Sequence, residues 1–208
     1  MTTQPRIARV VHATTAEGPG LRTAIWVQGC SIRCSGCINP HLFSPTGGEI
    51  MPKEQIIEDA VAAGVEGLTL LGGEPFDQAG PLAGLASLAQ ARGMGVITFT
   101  GYEFDDLASR DHYAQSLLAN TDLLVDGPYQ AEIPEQKRAL VGSTNQRFIH
   151  LTDRYADYDP ESNPNRLHVR IGPDGTADVA GFLNSEALKS LLNGTGLKRV
   201  RRRSSQSH

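Results

Sequence analysis

Residues 23–37 read Thr23-Ala24-Ile25-Trp26-Val27-Gln28-Gly29-Cys30-Ser31-Ile32-Arg33-Cys34-Ser35-Gly36-Cys37. The first six form an apolar, partly β-branched run, which predicts a strand over 23–28. Gly29 ends it, and three cysteines follow within eight residues. The thiols therefore sit on the loop at that strand's C-terminal end. Gly29 and Gly36 ease the tight backbone turns that so short a spacing needs.

Working outward, similar runs predict strands over 67–71, 96–100, 123–126 and 147–151. Between the first two strands, Pro52 suits a first helical turn, and Ile56, Ile57, Ala60 and Val61 form an apolar stripe that Gly64 closes. Leu82, Leu85, Leu88 and Ala89 repeat at helical spacing until Gly93. Residues 102–119 offer one or two more helical segments. Strand–helix alternation at this spacing implies an α/β fold with a mainly parallel sheet and function at the strands' C-terminal ends. Residues 155–165 read as a loop. Residues 167–171 and 176–182 flank Gly172-Pro173-Asp174-Gly175, a hairpin-like turn, and Ser185 suits the cap of a last short helix. No repeat or linker divides the chain, so one domain is expected over 1–197, with a core at 6–151 and an extension at 152–197.

With 208 residues, 39% hydrophobic and 20% charged, the composition is that of an ordinary globular protein with one sizeable core. No apolar run suits a bilayer span or a secretory signal, so the expectation is a cytoplasmic protein without membrane contact. The net charge is −4. Lys198, Arg199, Arg201, Arg202 and Arg203 crowd the end of the chain, where 198–208 reads as a solvated, disordered tail with no nucleic-acid role assigned.

Three clustered cysteines, with no others in the chain, exclude a disulfide framework and point to metal or redox chemistry. Spacing leaves two sites open. Cys30, Cys34, Cys37 and His41 could form a Cys₃His zinc set supporting a binding module. Alternatively, the three thiolates hold three irons of a [4Fe–4S] cube and leave the fourth iron open to a ligand.

Further motifs bear on that choice. CxxxCxxC after the first strand resembles the signature of radical S-adenosylmethionine enzymes. Glu17-Gly18-Pro19-Gly20-Leu21-Arg22, the CxGC form of the triplet and Gly72-Gly73-Glu74-Pro75 are similar to those of glycyl-radical activating enzymes. Thr100-Gly101-Tyr102, Leu124-Val125-Asp126-Gly127-Pro128-Tyr129 and Gly142-Ser143-Thr144-Asn145-Gln146-Arg147 resemble the activase group of anaerobic ribonucleotide reductase. The blocks run in order from about residue 10 to 151.

The resemblance implies a single-domain partial (β/α)₆-type open TIM barrel with the cluster at the end that hosts active sites in the complete barrel. It implies Cys30, Cys34 and Cys37 as cluster ligands and Gly72, Gly73, Glu74 and Pro75 as the cradle of the methionyl amino group. Thr100, Asp126, Asn145 and Arg147 would contact the cosubstrate, with Gln146 beside them. Glu17 would lie near the active site, with Arg22 an anion contact. The implied cofactors are a [4Fe–4S] cluster and S-adenosylmethionine, which is cleaved reductively to a 5′-deoxyadenosyl radical. No catalytic side chain is expected beyond the cluster ligands. A glycyl-radical enzyme would be the protein partner and a flavodoxin or ferredoxin the electron donor. Direct modification of a peptide or small molecule is the alternative activity. Gly36 stands where many radical enzymes place an aromatic residue, a glycine that the reductase activases share. Departures that bear on the partner are Ile38, where those activases commonly have tyrosine, and residues 152–208, which extend beyond the compact activases.

Overall fold

The computed structural model describes residues 3–173, 177–181 and 190. Its frame is a seven-stranded mixed sheet. In chain order the strands are β1 (Arg6–Thr14), β2 (Arg22–Val27), β3 (Glu49–Ile50), β4 (Gly67–Gly72), β5 (Gly95–Phe99), β6 (Leu123–Asp126) and β7 (Arg147–His150). The spatial order is β3-β1-β2-β4-β5-β6-β7. The central β2, β4, β5 and β6 are parallel, while β1, β3 and β7 join antiparallel.

The parallel neighbours are linked by helices, as parallel pairing requires. Helix α1 (Lys53–Ala62) joins the β3 edge to β4, α2 (Ala79–Ala91) joins β4 to β5, and α3 (Phe104–Ser109) with α4 (His112–Ala119) joins β5 to β6. Pro52 is the N-cap of α1, and Ile56, Ile57 and Ala60 face inward. Val61, expected on the same stripe, is 48% exposed, because the buried face of this short helix is narrower than the stripe.

Side chains alternate between the faces of the sheet, as the two-residue period dictates. Ile25, Val27, Leu68, Leu70, Val96 and Leu124 pack with the helices. Ala24, Trp26, Leu71, Ile97, Leu123 and Val125 lie on the other face, covered by Val11, Leu42, Val141 and Ala180. Burial on both faces explains why these strands read as continuous apolar runs.

Strand β1 and the two-residue β3 are elements that sequence reading did not place; β1 is the longer of them. Its pairing with β2 shifts register twice, and Ala13 adopts φ 55°, so its apolar residues do not alternate cleanly. The β6–β7 connection, 127–146, is built of turns and one isolated bridge, Pro134 to Ser143. Beyond β7, strands β8 (Leu167–Ile171) and β9 (Ala177–Gly181) form the expected antiparallel pair. The tip of that hairpin at 174–176, the helix expected after Ser185 and the basic tail lie outside the described residues.

Arg22 is fully buried at the N-terminal end of β2. Its Nε donates to the Thr69 hydroxyl at 2.7 Å; Nη1 donates to the Pro19 carbonyl at 3.0 Å and the Tyr155 hydroxyl at 2.7 Å. Nη2 donates to the carbonyls of Leu68 and Gly95. These contacts use all five guanidinium N–H groups, so Arg22 fastens strands instead of meeting an anion. Replacing it by alanine strands several buried acceptors. Arg22→Ala is expected to lower unfolding stability by about 3 kcal/mol or more, measured by urea titration of the metal-free protein.

Candidate functional site

The order β2-β4-β5-β6 sets four loops side by side at the strands' C-terminal ends. They are the cysteine loop, the Gly72–Pro75 turn, the loop of Thr100-Gly101-Tyr102 and the loop from Asp126 to Tyr129. The parallel pairing of β2 and β4 continues past both strands. Gly73 N–H donates to the Val27 carbonyl at 2.9 Å, and Glu74 N–H donates to the Gly29 carbonyl at 2.8 Å. A Cβ on Gly73 would overlap the Gly29 carbonyl oxygen, so only glycine allows this approach.

The cysteine loop is shaped by positive φ at Gly29 (95°), Arg33 (56°) and Gly36 (74°). Gly29 N–H donates to Leu42 and Cys37 N–H to Cys34. Asn39 N–H donates to the Cys37 sulfur at 3.4 Å. All three cysteines are half-buried and free of disulfides. Burial pushes the Cys30 and Cys37 thiols up, so both need metal coordination to persist as thiolates at neutral pH. Among the described residues, no three His, Cys, Asp or Glu side chains gather around a point that would hold one metal ion. Three thiols on one loop, with no fourth cysteine in the chain, match the three protein ligands of a [4Fe–4S] cube that keeps one iron open. The donor set fits the cluster.

Glu74 is buried, and its carboxylate binds across the loops. Oε1 accepts the Phe76 N–H at 2.9 Å and the Thr100 hydroxyl at 2.8 Å; Oε2 accepts the Gly101 N–H at 2.9 Å. Burial raises its pKa to about 7. Thr100 is thereby committed to Glu74, and its oxygen also accepts the Tyr102 N–H. Asp126 is fully buried and takes Arg147 in a bidentate pair and the Phe104 N–H at 2.7 Å. That pairing raises the Arg147 pKa. Each of these residues stands at the loop edge; Thr100 and Asp126 spend their polar groups on neighbouring loops, and Arg147 commits Nε and Nη2 to Asp126 while its side chain stays 47% exposed.

Asn145 differs. Its Nδ2 donates to the Pro128 carbonyl at 2.7 Å, while its Oδ1 is buried without a hydrogen-bond partner. Gln146 holds the turn around it, accepting the Gly142 and Ser143 N–H groups and donating to the Gly127 carbonyl. Tyr129, which the motif contained but no role explained, reaches the cysteine loop. A Cβ on Gly36 would meet its ring at 3.4 Å. Ile32 likewise packs against Gly101. Asp77 was missed altogether, since its contacts are long-range and no local pattern signals them.

Glu17 is not brought to this edge. The Glu17–Gly20 turn precedes β2, at the strand end opposite the cysteines, and the Glu17 carbonyl accepts the Thr69 hydroxyl at 2.8 Å. Its Oε1 accepts the Gly181 N–H at 2.6 Å. Burial moves its pKa from 4.5 to about 7.

Residues 16–149 match the family described as 4Fe-4S single cluster domain. The chain is 29% identical over 158 residues to the anaerobic ribonucleoside-triphosphate reductase-activating protein of Enterobacteria phage T4, covering 73% of this chain and 97% of that one. It is 32% identical over 147 residues to the protein of the same name from Vibrio cholerae serotype O1, covering 65% and 92%. To the pyruvate formate-lyase-activating enzyme of Clostridium pasteurianum it is 28% identical over 127 residues, covering 58% and 50%. The chain belongs to the 4Fe-4S single cluster domain family, and within it to the radical S-adenosylmethionine enzymes of the glycyl-radical-activating kind.

Two outcomes follow from the geometry. Gly73→Ala is expected to cost about 1–3 kcal/mol in urea unfolding of the metal-free chain, because the new methyl must displace the Gly29 carbonyl. For Glu17 the folded state holds the proton more tightly than the unfolded state, so stability falls as pH rises from 4.5 to about 7. The span corresponds to on the order of 3 kcal/mol. Glu17→Gln keeps an acceptor for Gly181 and should flatten that part of the stability–pH curve, measured by unfolding at stepped pH.

Proposed function

We propose that Cys30, Cys34 and Cys37 ligate the [4Fe–4S] cluster, and that the enzyme uses S-adenosylmethionine to install a glycyl radical on a partner such as anaerobic ribonucleotide reductase. The observation that carries this reading is the pair of backbone bonds from Gly73 and Glu74 to Val27 and Gly29, which seats the Gly72–Pro75 turn against the cysteine loop. When bound, the cluster supplies the electron that splits S-adenosylmethionine into methionine and a 5′-deoxyadenosyl radical.

The protein's own residues orient and enclose. Gly72 and Gly73 present backbone where side chains would intrude, as the cradle of the methionyl group needs. Glu74 locks that cradle to Thr100 and Gly101. Asp126 and Arg147 hold the neighbouring loop, and the unpartnered Asn145 Oδ1 is the acceptor offered to a cosubstrate donor. No general base is required, because the partner's glycine loses a hydrogen atom and not a proton. Ile38, 61% exposed beside Cys37, suits a surface that a partner or a flavodoxin- or ferredoxin-like donor covers.

The four parallel strands with helices on one face support an incomplete (β/α)₆-type barrel. Thr152, bonded to Asp122, and Tyr155, bonded to Arg22, tie the start of the extension onto the core and support a single domain. Among the described residues no helix is long and apolar enough to cross a membrane. A reduced, oxygen-sensitive centre supports a cytoplasmic setting.

Anaerobic loading with iron and sulfide, reduction and addition of S-adenosylmethionine test the reading. Equal iron and sulfide, cluster absorbance and release of 5′-deoxyadenosine are expected, all lost in Cys34→Ala. Stoichiometric zinc without cluster absorbance would refute it. A glycyl-radical doublet in the electron paramagnetic resonance spectrum, on adding the purified reductase, tests the partner.

A further inference from the structure

Asp77 follows the Gly72–Pro75 turn, in the 3₁₀ turn Pro75–Gln78, and none of the roles above uses it. Its Oδ2 accepts the Ser31 backbone N–H at 2.7 Å. Its Oδ1 accepts the Ser31 hydroxyl at 2.9 Å and the Tyr102 hydroxyl at 3.1 Å. The two hydroxyls are themselves 2.8 Å apart. Ser31 is bonded directly to Cys30, and Tyr102 ends the loop after β5. One carboxylate therefore joins three of the four loops at the site edge.

This is not helix capping. Glu74 caps the turn through the Phe76 N–H, and Asp77 lies inside it with its carboxylate turned to the cysteine loop. The assembly is braced on both sides. Gln78 donates to the Gln28 and Arg6 carbonyls at 2.9 and 3.0 Å, fixing the turn against the end of β2. The Arg110 guanidinium lies over the Tyr102 ring, 4.5 Å from its centre. Each exposed bond is weak alone, but together they leave the Ser31 backbone little freedom.

We propose that Asp77 is a positioning residue for the iron–sulfur centre. It pins Ser31, and with it Cys30, against the Gly72–Pro75 turn, and its charge opposes the arrival of an electron at the centre. This rests on the reading of Cys30, Cys34 and Cys37 as cluster ligands. Partners of this outer kind orient metal ligands and set affinity, and charge near an iron–sulfur cluster sets its potential. A negative charge beside the loop disfavours the reduced, more negative state, by Coulomb repulsion.

The test uses the full chain loaded anaerobically with iron and sulfide. Two quantities are read: the rate at which excess EDTA bleaches the cluster, and the midpoint potential in a dye-mediated titration. Asp77→Ala is expected to bleach about tenfold faster and to titrate at a more positive potential. Asp77→Asn keeps an acceptor for Ser31 but loses the charge, so bleaching returns toward wild type while the potential stays raised. Ser31→Ala keeps the charge and the backbone bond, and should hold the wild-type potential. Wild-type bleaching in Asp77→Ala overturns the pinning, and a wild-type potential in Asp77→Asn overturns the charge effect. If Asp77→Ala does not load, the Asp77→Asn and Ser31→Ala potentials decide. A wild-type chain that loads no cluster overturns the proposed function and this inference together, a result distinct from variants that load and behave as wild type.

Discussion

The site depends on two backbone hydrogen bonds beyond the ends of β2 and β4. Gly73 and Glu74 donate to Val27 and Gly29, so the parallel ladder runs on into what would otherwise be two independent loops. Ladder geometry is rigid, and it sets the spacing between the cysteine loop and the glycine-rich turn without a side-chain contact. The constraint has a steric condition, because a side chain at position 73 would occupy the space of the Gly29 oxygen. Glu74 then carries the order sideways. Its buried carboxylate reaches Thr100 and Gly101, and Asp126 repeats the device toward Phe104 and Arg147. Carboxylates held by several donors in a dry environment fix geometry tightly, and the same dryness makes any lost partner expensive.

The opposite end of the sheet is organised by other polar groups. Arg22 gathers carbonyls from three segments, and Asp122 accepts the Val96 N–H and the Thr152 hydroxyl. Glu17 holds β9 through Gly181. These contacts anchor residues 152–155 and strand β9 on the sheet face that the helices leave uncovered. The division is physical. Open, half-buried thiols stand at one end, where a ligand must enter, and saturated buried groups stand at the other, where closure stabilises the fold.

Much of this was legible beforehand. The parallel strands announced themselves as apolar β-branched runs because both of their faces are buried, and the helices as stripes closed by Gly64 and Gly93. Strand β1 was hidden because its bulges break the alternation that marks a strand. Glu17 and Arg22, read from their motif as active-site groups, stand at the far end of β2, since a six-residue strand separates them from the cysteines. The order along the chain already held this: a motif before the predicted strand and cysteines after it must lie at opposite strand ends.

The sequence by itself determined the donor set: three thiols and no others, their spacing, the strand before them and the glycines that permit close approach are all local properties of a short segment. The tertiary structure decided which polar groups are still available. Thr100 and Asp126 are tied to neighbouring loops, Arg147 commits Nε and Nη2 to Asp126, Asn145 keeps an unpaired oxygen, and Asp77 gains a role through residues 46 and 25 positions away in the chain. The reason is that hydrogen-bond partnership depends on which strand ends lie side by side, and that order, β2-β4-β5-β6, exists only once the chain has folded.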